Sequence, residues 1–143
     1  MSAETIFALC NALILPGWLL LIVAPAWKWT ARLISGVILP AILAAFYILL
    51  LLTHYGGSQG GFGSLAEVSV LFQNPNLLLA GWIHYLAFDL FIGSWEVRDA
   101  QRLGIHHLLV VPCLILTLLF GPAGLLLYLA LRGGLRRRLL VES

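Results

Sequence analysis

Apolar runs of about twenty residues or longer, with short polar segments between them, constrain this chain more than any other feature. Only 10% of the residues are charged, against about 25% in an ordinary soluble domain. A chain so poor in charge could not cover its own surface in water. The reading is an all-α integral membrane protein, a single transmembrane domain over residues 1–143. There is room for four transmembrane helices of roughly 20 residues each. The expected spans are about 5–24, 33–53, 77–95 and 105–131, with a short amphipathic helix between the second and third. The net charge of +2 comes mainly from interfacial Lys and Arg, so no nucleic-acid partner is expected. The expected surroundings are the lipid bilayer, with room for a homo-oligomer. Four spans are few for an alternating-access carrier, and no inverted repeat is visible.

Local signals mark the boundaries. Pro16 should kink the first span, which adjacent helices can tolerate. Trp27 and Trp29 flank Lys28 as interfacial anchors. Residues 56–63 hold five glycines and read as a flexible loop with no phosphate-binding spacing. Ser64 followed by Glu67 is a capping-box signature. Leu65, Val68, Leu71 and Phe72 then form the stripe of an interfacial helix over about 64–73. Gly121-Pro122 should bend the fourth span and free carbonyls that need partners. The N-terminus lacks a basic region and a cleavage site, so it reads as a retained span. Cys10 and Cys113 read as small apolar packing residues. With four spans the basic residues divide four against four between the two sides. If carboxylates occupy Arg98 and Arg102, the C-terminal tail prevails and both termini face the cytoplasm.

The stretch from Leu77 to Arg102 plants His84 and Asp89 in a run apolar enough to cross a bilayer. Holding an ionisable group there costs at least ~2.5–3.5 kcal/mol on insertion scales. Such a residue is therefore a functional candidate, with interhelical hydrogen bonding as the structural competitor. Asp89 and Glu96 are seven apart and share a helix face, whereas His84 and Asp89 diverge by about 140°. Asn11, Tyr47, Tyr85 and Thr117 could supply partners for Asp89. Trp82 and Trp95 flank the polar face of the third span. Glu96, Arg98, Asp99, Arg102, His106 and His107 crowd the next turn. They read either as a salt-bridge knot that fixes a helical hairpin or as an acid/base or headgroup site at the membrane rim. One metal ion cannot bridge His84 and Asp99, about 22 Å apart on a continuous helix. A local metal set of Glu96, Asp99, His106 and His107 is a weaker alternative.

The string WIHYLAFDLFIGSWEVRD, followed by HHLLVVPCLILTLLFGPAGLLLY, resembles the family of small membrane proteins named for the plant abscisic-acid-deficient-four protein. The likeness carries over Trp82, His84, Asp89, Asp99, His107, Cys113, Pro122 and Gly124 by position, with His106 adjacent to the family histidine. The plant member is associated with neoxanthin synthesis, in which a carotenoid epoxide opens to an allene. The resemblance thus implies a redox-neutral acid/base isomerisation of a carotenoid-like or isoprenoid ligand, with no cofactor. On this reading His84 and Asp89 form a deep acid/base pair, and Asp99 and His107 a rim site. Trp82, Tyr85, Glu96, Arg98 and His106 would contact substrate. A carotenoid is about 30 Å long, close to the thickness of the bilayer core. The competing reading is a non-catalytic pigment- or lipid-binding assembly protein. The absence of a chloroplast transit peptide points to a bacterial-type member in the cytoplasmic (inner) membrane.

Overall fold

The computed structural model describes residues 2–136. Six helices make up the architecture, with no strand among the described residues. Helix α1 is Ala3–Val23, and its first turn is capped by Ser2, whose hydroxyl accepts from the Thr5 amide at 3.2 Å. Pro16 sits inside α1 without ending it. Helix α2 is Thr30–His54 and opens with π-helical turns over Thr30–Ile38. Helix α3 is Leu65–Leu71, α4 is Pro75–Leu103, α5 is His107–Phe120 and α6 is Pro122–Arg136.

Three helices, α1, α2 and α4, are long and apolar enough to cross a membrane. Their outer faces leave Leu15, Leu19, Ile48, Leu52 and Phe88 exposed, the surface a hydrocarbon environment would cover. The 29 residues of α4 span about 43 Å, more than a bilayer core. It is the central helix, packed by α1, α2, α5 and α6. Small residues bring the first three spans together. A side chain at Gly17 would meet Leu39 at 2.7 Å and Leu90 at 3.2 Å. Beside it the Ser35 hydroxyl donates to the Gly17 carbonyl at 3.0 Å. A β-carbon on Gly93 would come within 2.7 Å of the buried Trp18 ring. Cys10 and Cys113 are free thiols buried in this core.

The fourth expected span is overturned. Residues 105–131 do not form one crossing helix, and the molecule has three helices of spanning length, not four. At ~1.5 Å per residue, α5 and α6 are each little more than 20 Å long, too short for the ~30 Å core. They run antiparallel. α5 descends along α4, bringing Thr117 to Glu96 and Gly121 to Asp89. α6 then climbs back, bringing Tyr128 and Arg132 to Asp99. The pair is a re-entrant hairpin with its tip at the middle of α4. Gly121 makes the reversal with φ +44°, a conformation L side chains rarely adopt. Pro122 starts α6, where a missing amide costs nothing. Gly124 is pressed against the Thr117 backbone so closely that a β-carbon there would collide with it.

This topology also replaces the divided charge count. The His107 ring donates from Nε2 to the Ile22 carbonyl at 2.9 Å, and the Gln101 amide donates to the Pro25 carbonyl at 2.6 Å. The C-terminal ends of α1 and α4 therefore share one end of the bundle with the starts of α2 and α5 and the end of α6. Lys28, Arg32, Arg98, Arg102, Arg132 and Arg136 all belong to that end. The opposite end holds the start of α1, the 56–63 loop and α3. Among the described residues it has Glu4 and Glu67 but no Lys or Arg. With three crossings, the start of α1 and the end of α6 lie on opposite sides, contrary to the expectation of both on one side. Arg137 and Arg138 lie outside the described residues.

At the polar junction Ser64 caps α3, accepting from the Glu67 amide at 3.2 Å. The Glu67 carboxylate reaches the Gly63 amide at 3.0 Å, one residue before the cap, so the expected box closes one position early.

Candidate functional site

Asp89 stands at the midpoint of α4, where the re-entrant tip meets it. A β-carbon on Gly121 would lie 2.8 Å from one Asp89 oxygen and 3.1 Å from the other, so the glycine makes room for the carboxylate as well as for the turn. Asp89 Oδ2 is buried without a hydrogen-bond partner. Tyr85, one turn earlier on the same helix, is near enough for its hydroxyl and the carboxylate to influence each other electrostatically. That hydroxyl also lies 3.3 Å from the Leu118 carbonyl, to which it donates. Leu118 is the residue whose α-helical donor would be the amide of residue 122, and Pro122 has none. Tyr85 therefore donates to a carbonyl orphaned by the Gly-Pro break and stands beside the Asp89 carboxylate.

Tyr85 also lines a cleft of about 580 Å³ between α1, the Phe72 turn and α4. Its wall is a run of aromatic rings. Phe7 and Trp82 have centroids 5.7 Å apart, and Trp82 and Tyr85 5.4 Å apart. The Trp82 ring nitrogen donates to Asn11 Oδ1 at 3.2 Å, and the Asn11 amide is held by the Phe7 carbonyl at 2.8 Å. Glu4 supplies the acidic group at the mouth. The cleft is thus apolar along its length, with Tyr85 at the end nearest Asp89.

His84 also borders this cleft but not the carboxylate. Its ring packs on Tyr47 at 5.8 Å and edge-on to Phe88 at 4.7 Å. The five-residue separation turns it away from Asp89, so the two do not form a pair. Of the four partners named for Asp89, only Tyr85 reaches it. Asn11 goes to Trp82, Tyr47 to His84, and Thr117 to Glu96.

Glu96 lies on the same face as Asp89, as the seven-residue spacing requires. It is fully buried, and its two oxygens are 3.1 and 3.3 Å from the Thr117 hydroxyl, which donates to them. Asp99, one turn on, is 4% exposed and receives four donors. Arg132 Nε and the Tyr128 hydroxyl each donate to Oδ2 at 2.7 Å, while Arg102 reaches Oδ1 at 2.9 Å and Arg132 Nη2 reaches it at 3.4 Å. Trp95 packs edge-on against the Tyr128 ring at 5.4 Å. This knot locks α6 onto α4. Tyr128 and Arg132 were not among the sequence candidates. Their four-residue spacing in an otherwise apolar run is the signal that marks them as one helix face.

His107 does not join Asp99. It bonds the Ile22 carbonyl and ties α5 to α1. His106 caps α5, its Nδ1 accepting from the Leu108 amide at 3.4 Å. Glu96, Asp99, His106 and His107 therefore face four different sets of partners. Among the described residues no three His, Cys, Asp or Glu side chains gather as metal ligands. The alternative metal set fails because its members are not brought together.

The fold and this arrangement define an all-helical membrane protein with three helices of spanning length. Its re-entrant hairpin delivers a glycine turn to a half-buried carboxylate behind an aromatic cleft. The chain belongs to the ABA DEFICIENT 4-like family, whose sequence model matches residues 5–128. It is similar to "Protein ABA DEFICIENT 4, chloroplastic" of Arabidopsis thaliana, 28% identical over 131 residues, covering 86% of this chain and 58% of the relative. The chain thus spans less than two thirds of that relative's length. No solved structure matches the chain. Within the matched region lie every residue of the cleft from Phe7 onward, Asp89, and the Gly121–Gly124 turn.

Proposed function

We propose that the protein acts on an elongated apolar isoprenoid of the carotenoid class, in a bacterial-type cytoplasmic membrane, by redox-neutral acid/base isomerisation. One observation carries this reading: a carboxylate with an unpartnered buried oxygen sits at membrane depth, in contact with a tyrosine that lines an aromatic cleft. Phe7 and Trp82 offer π-faces to an end-group ring, while the remaining polyene lies along the exposed apolar flank of α1 and α4.

The chemistry balances within the chain. The Tyr85 hydroxyl gives its proton to an epoxide oxygen as the ring C–O bond breaks. The Asp89 carboxylate takes a proton from the neighbouring carbon, and that C–H electron pair forms the new double bond. A proton shift from Asp89 to Tyr85 restores both groups, and nothing is oxidised or reduced. This assignment gives the acid role to Tyr85 instead of His84, because Tyr85 faces Asp89.

The test is expression in cells that make epoxy and non-epoxy carotenoids, followed by pigment profiling of wild type, Asp89→Asn and Tyr85→Phe. A new isomer that appears only with wild type supports the proposal. Identical profiles for all three across both pigment classes remove it. Pigment that copurifies unchanged with all three favours the binding-protein reading instead.

A further inference from the structure

The basic end of the bundle carries a second concavity of opposite character. Arg32 from the first turn of α2 and Arg98, Gln101 and Arg102 from the last turns of α4 line a cleft of about 450 Å³. A smaller hollow beside it, bordered by Lys28 and Trp27, shares Arg32 and Gln101. The sequence separates Arg32 from the other two arginines by more than sixty residues, so only the fold gathers them.

The charge in this cleft is unbalanced. Among the described residues neither Arg32 nor Arg98 has a carboxylate within ion-pair distance. Arg102 reaches Asp99 at 2.9 Å, but the same carboxylate is engaged by Arg132 at 2.7 Å and by Tyr128. Three guanidinium groups therefore share part of one negative charge. Arg98 rests over the Phe91 ring at 6.0 Å, and its Nε is buried with no acceptor. Like charges held together repel, and a buried donor without an acceptor is costly, so an anion with several acceptor oxygens would be favoured in this cleft. Guanidinium forks fit phosphate oxygens in geometry and in charge. The cleft also lies beside Trp27 and Trp29, the aromatic level where a bilayer's headgroups begin.

We infer that Arg32, Arg98 and Arg102 form a binding site for a phosphate group, at the opposite end of the molecule from the aromatic cleft and independent of Asp89. The full-length protein is purified in detergent with phosphatidylcholine and phosphatidylglycerol, and retained lipid is read by native mass spectrometry. Wild type is expected to keep phosphatidylglycerol over phosphatidylcholine, and Arg32→Gln and Arg98→Gln each to reduce that retention about tenfold. Arg32 is solvent-exposed, so its variant reports binding without a folding loss. A parallel titration with inorganic phosphate identifies the source. Arginine-dependent binding that free phosphate displaces assigns the site to the soluble ion, and binding that resists displacement assigns it to a lipid headgroup. Equal binding of both probes by wild type and Arg32→Gln, at unchanged unfolding temperature, overturns the inference.

Discussion

Two acids ten residues apart on one helix have opposite surroundings. Asp99 is saturated: two arginines and a tyrosine converge on it, and removing the carboxylate takes from Arg132, 1% exposed, the charge that Asp99 supplies. Loss of one partner from a buried pair costs about 3–5 kcal/mol. Asp99→Ala should accordingly lower the unfolding temperature in detergent far more than any substitution at Asp89. Asp89 is under-supplied, with one oxygen lacking any partner. Asp89→Asn should leave the unfolding temperature close to wild type and, under the proposed function, reduce pigment conversion by about 10²-fold or more, the usual contribution of a positioned acid or base. Sequence spacing was enough to separate Asp89 from His84 and to align it with Glu96, because helix rotation fixes both. It could not assign Thr117 to Glu96 or Tyr85 to Asp89, since that choice depends on how far α5 descends before it turns. The rim group divided for the same reason. His106 and His107 are neighbours in sequence, but the first caps α5 and the second reaches across to α1.

At the level of elements, the three spanning helices were legible because each is an apolar run of the required length with polar ends. The hairpin was not. Residues 105–131 are apolar enough for one long crossing, and a Gly-Pro step can signal a kink as readily as a reversal. What decides between them is Gly124, whose missing β-carbon lets the first turn of α6 lie against Thr117. Gly124→Ala should therefore disrupt the hairpin, at a cost of about 1–3 kcal/mol for forced overpacking, seen as a lower unfolding temperature. Gly134→Ala, where a β-carbon meets nothing, is the matched control and should be neutral. Tyr85→Phe should show a smaller loss, about 1 kcal/mol, because the Leu118 carbonyl loses its donor.

For the whole molecule, three crossings and one re-entrant pair concentrate the described Lys and Arg residues at one end. The positive-inside rule then has an asymmetry to act on. The end bearing Lys28 and Arg102 should face the cytoplasm, with the start of α1 and the glycine-rich loop on the other side. Single cysteines at Gln59 and Lys28, in a background where Cys10 and Cys113 are replaced, test this in intact cells. A membrane-impermeant maleimide should label the first and spare the second, and the reverse pattern would sink the assignment.

The return of α6 along α4 sets an order of assembly. Tyr128 and Arg132 of α6 close on Asp99 of α4, so the last two helices are expected to dock together once α4 is in place. When Asp99 is replaced by Ala in freshly made protein, the segment after Leu103 should remain open to added protease at the membrane surface while α1, α2 and α4 stay protected. On that order the α5–α6 hairpin is a late-closing wedge whose closure brings the glycine turn up against Asp89.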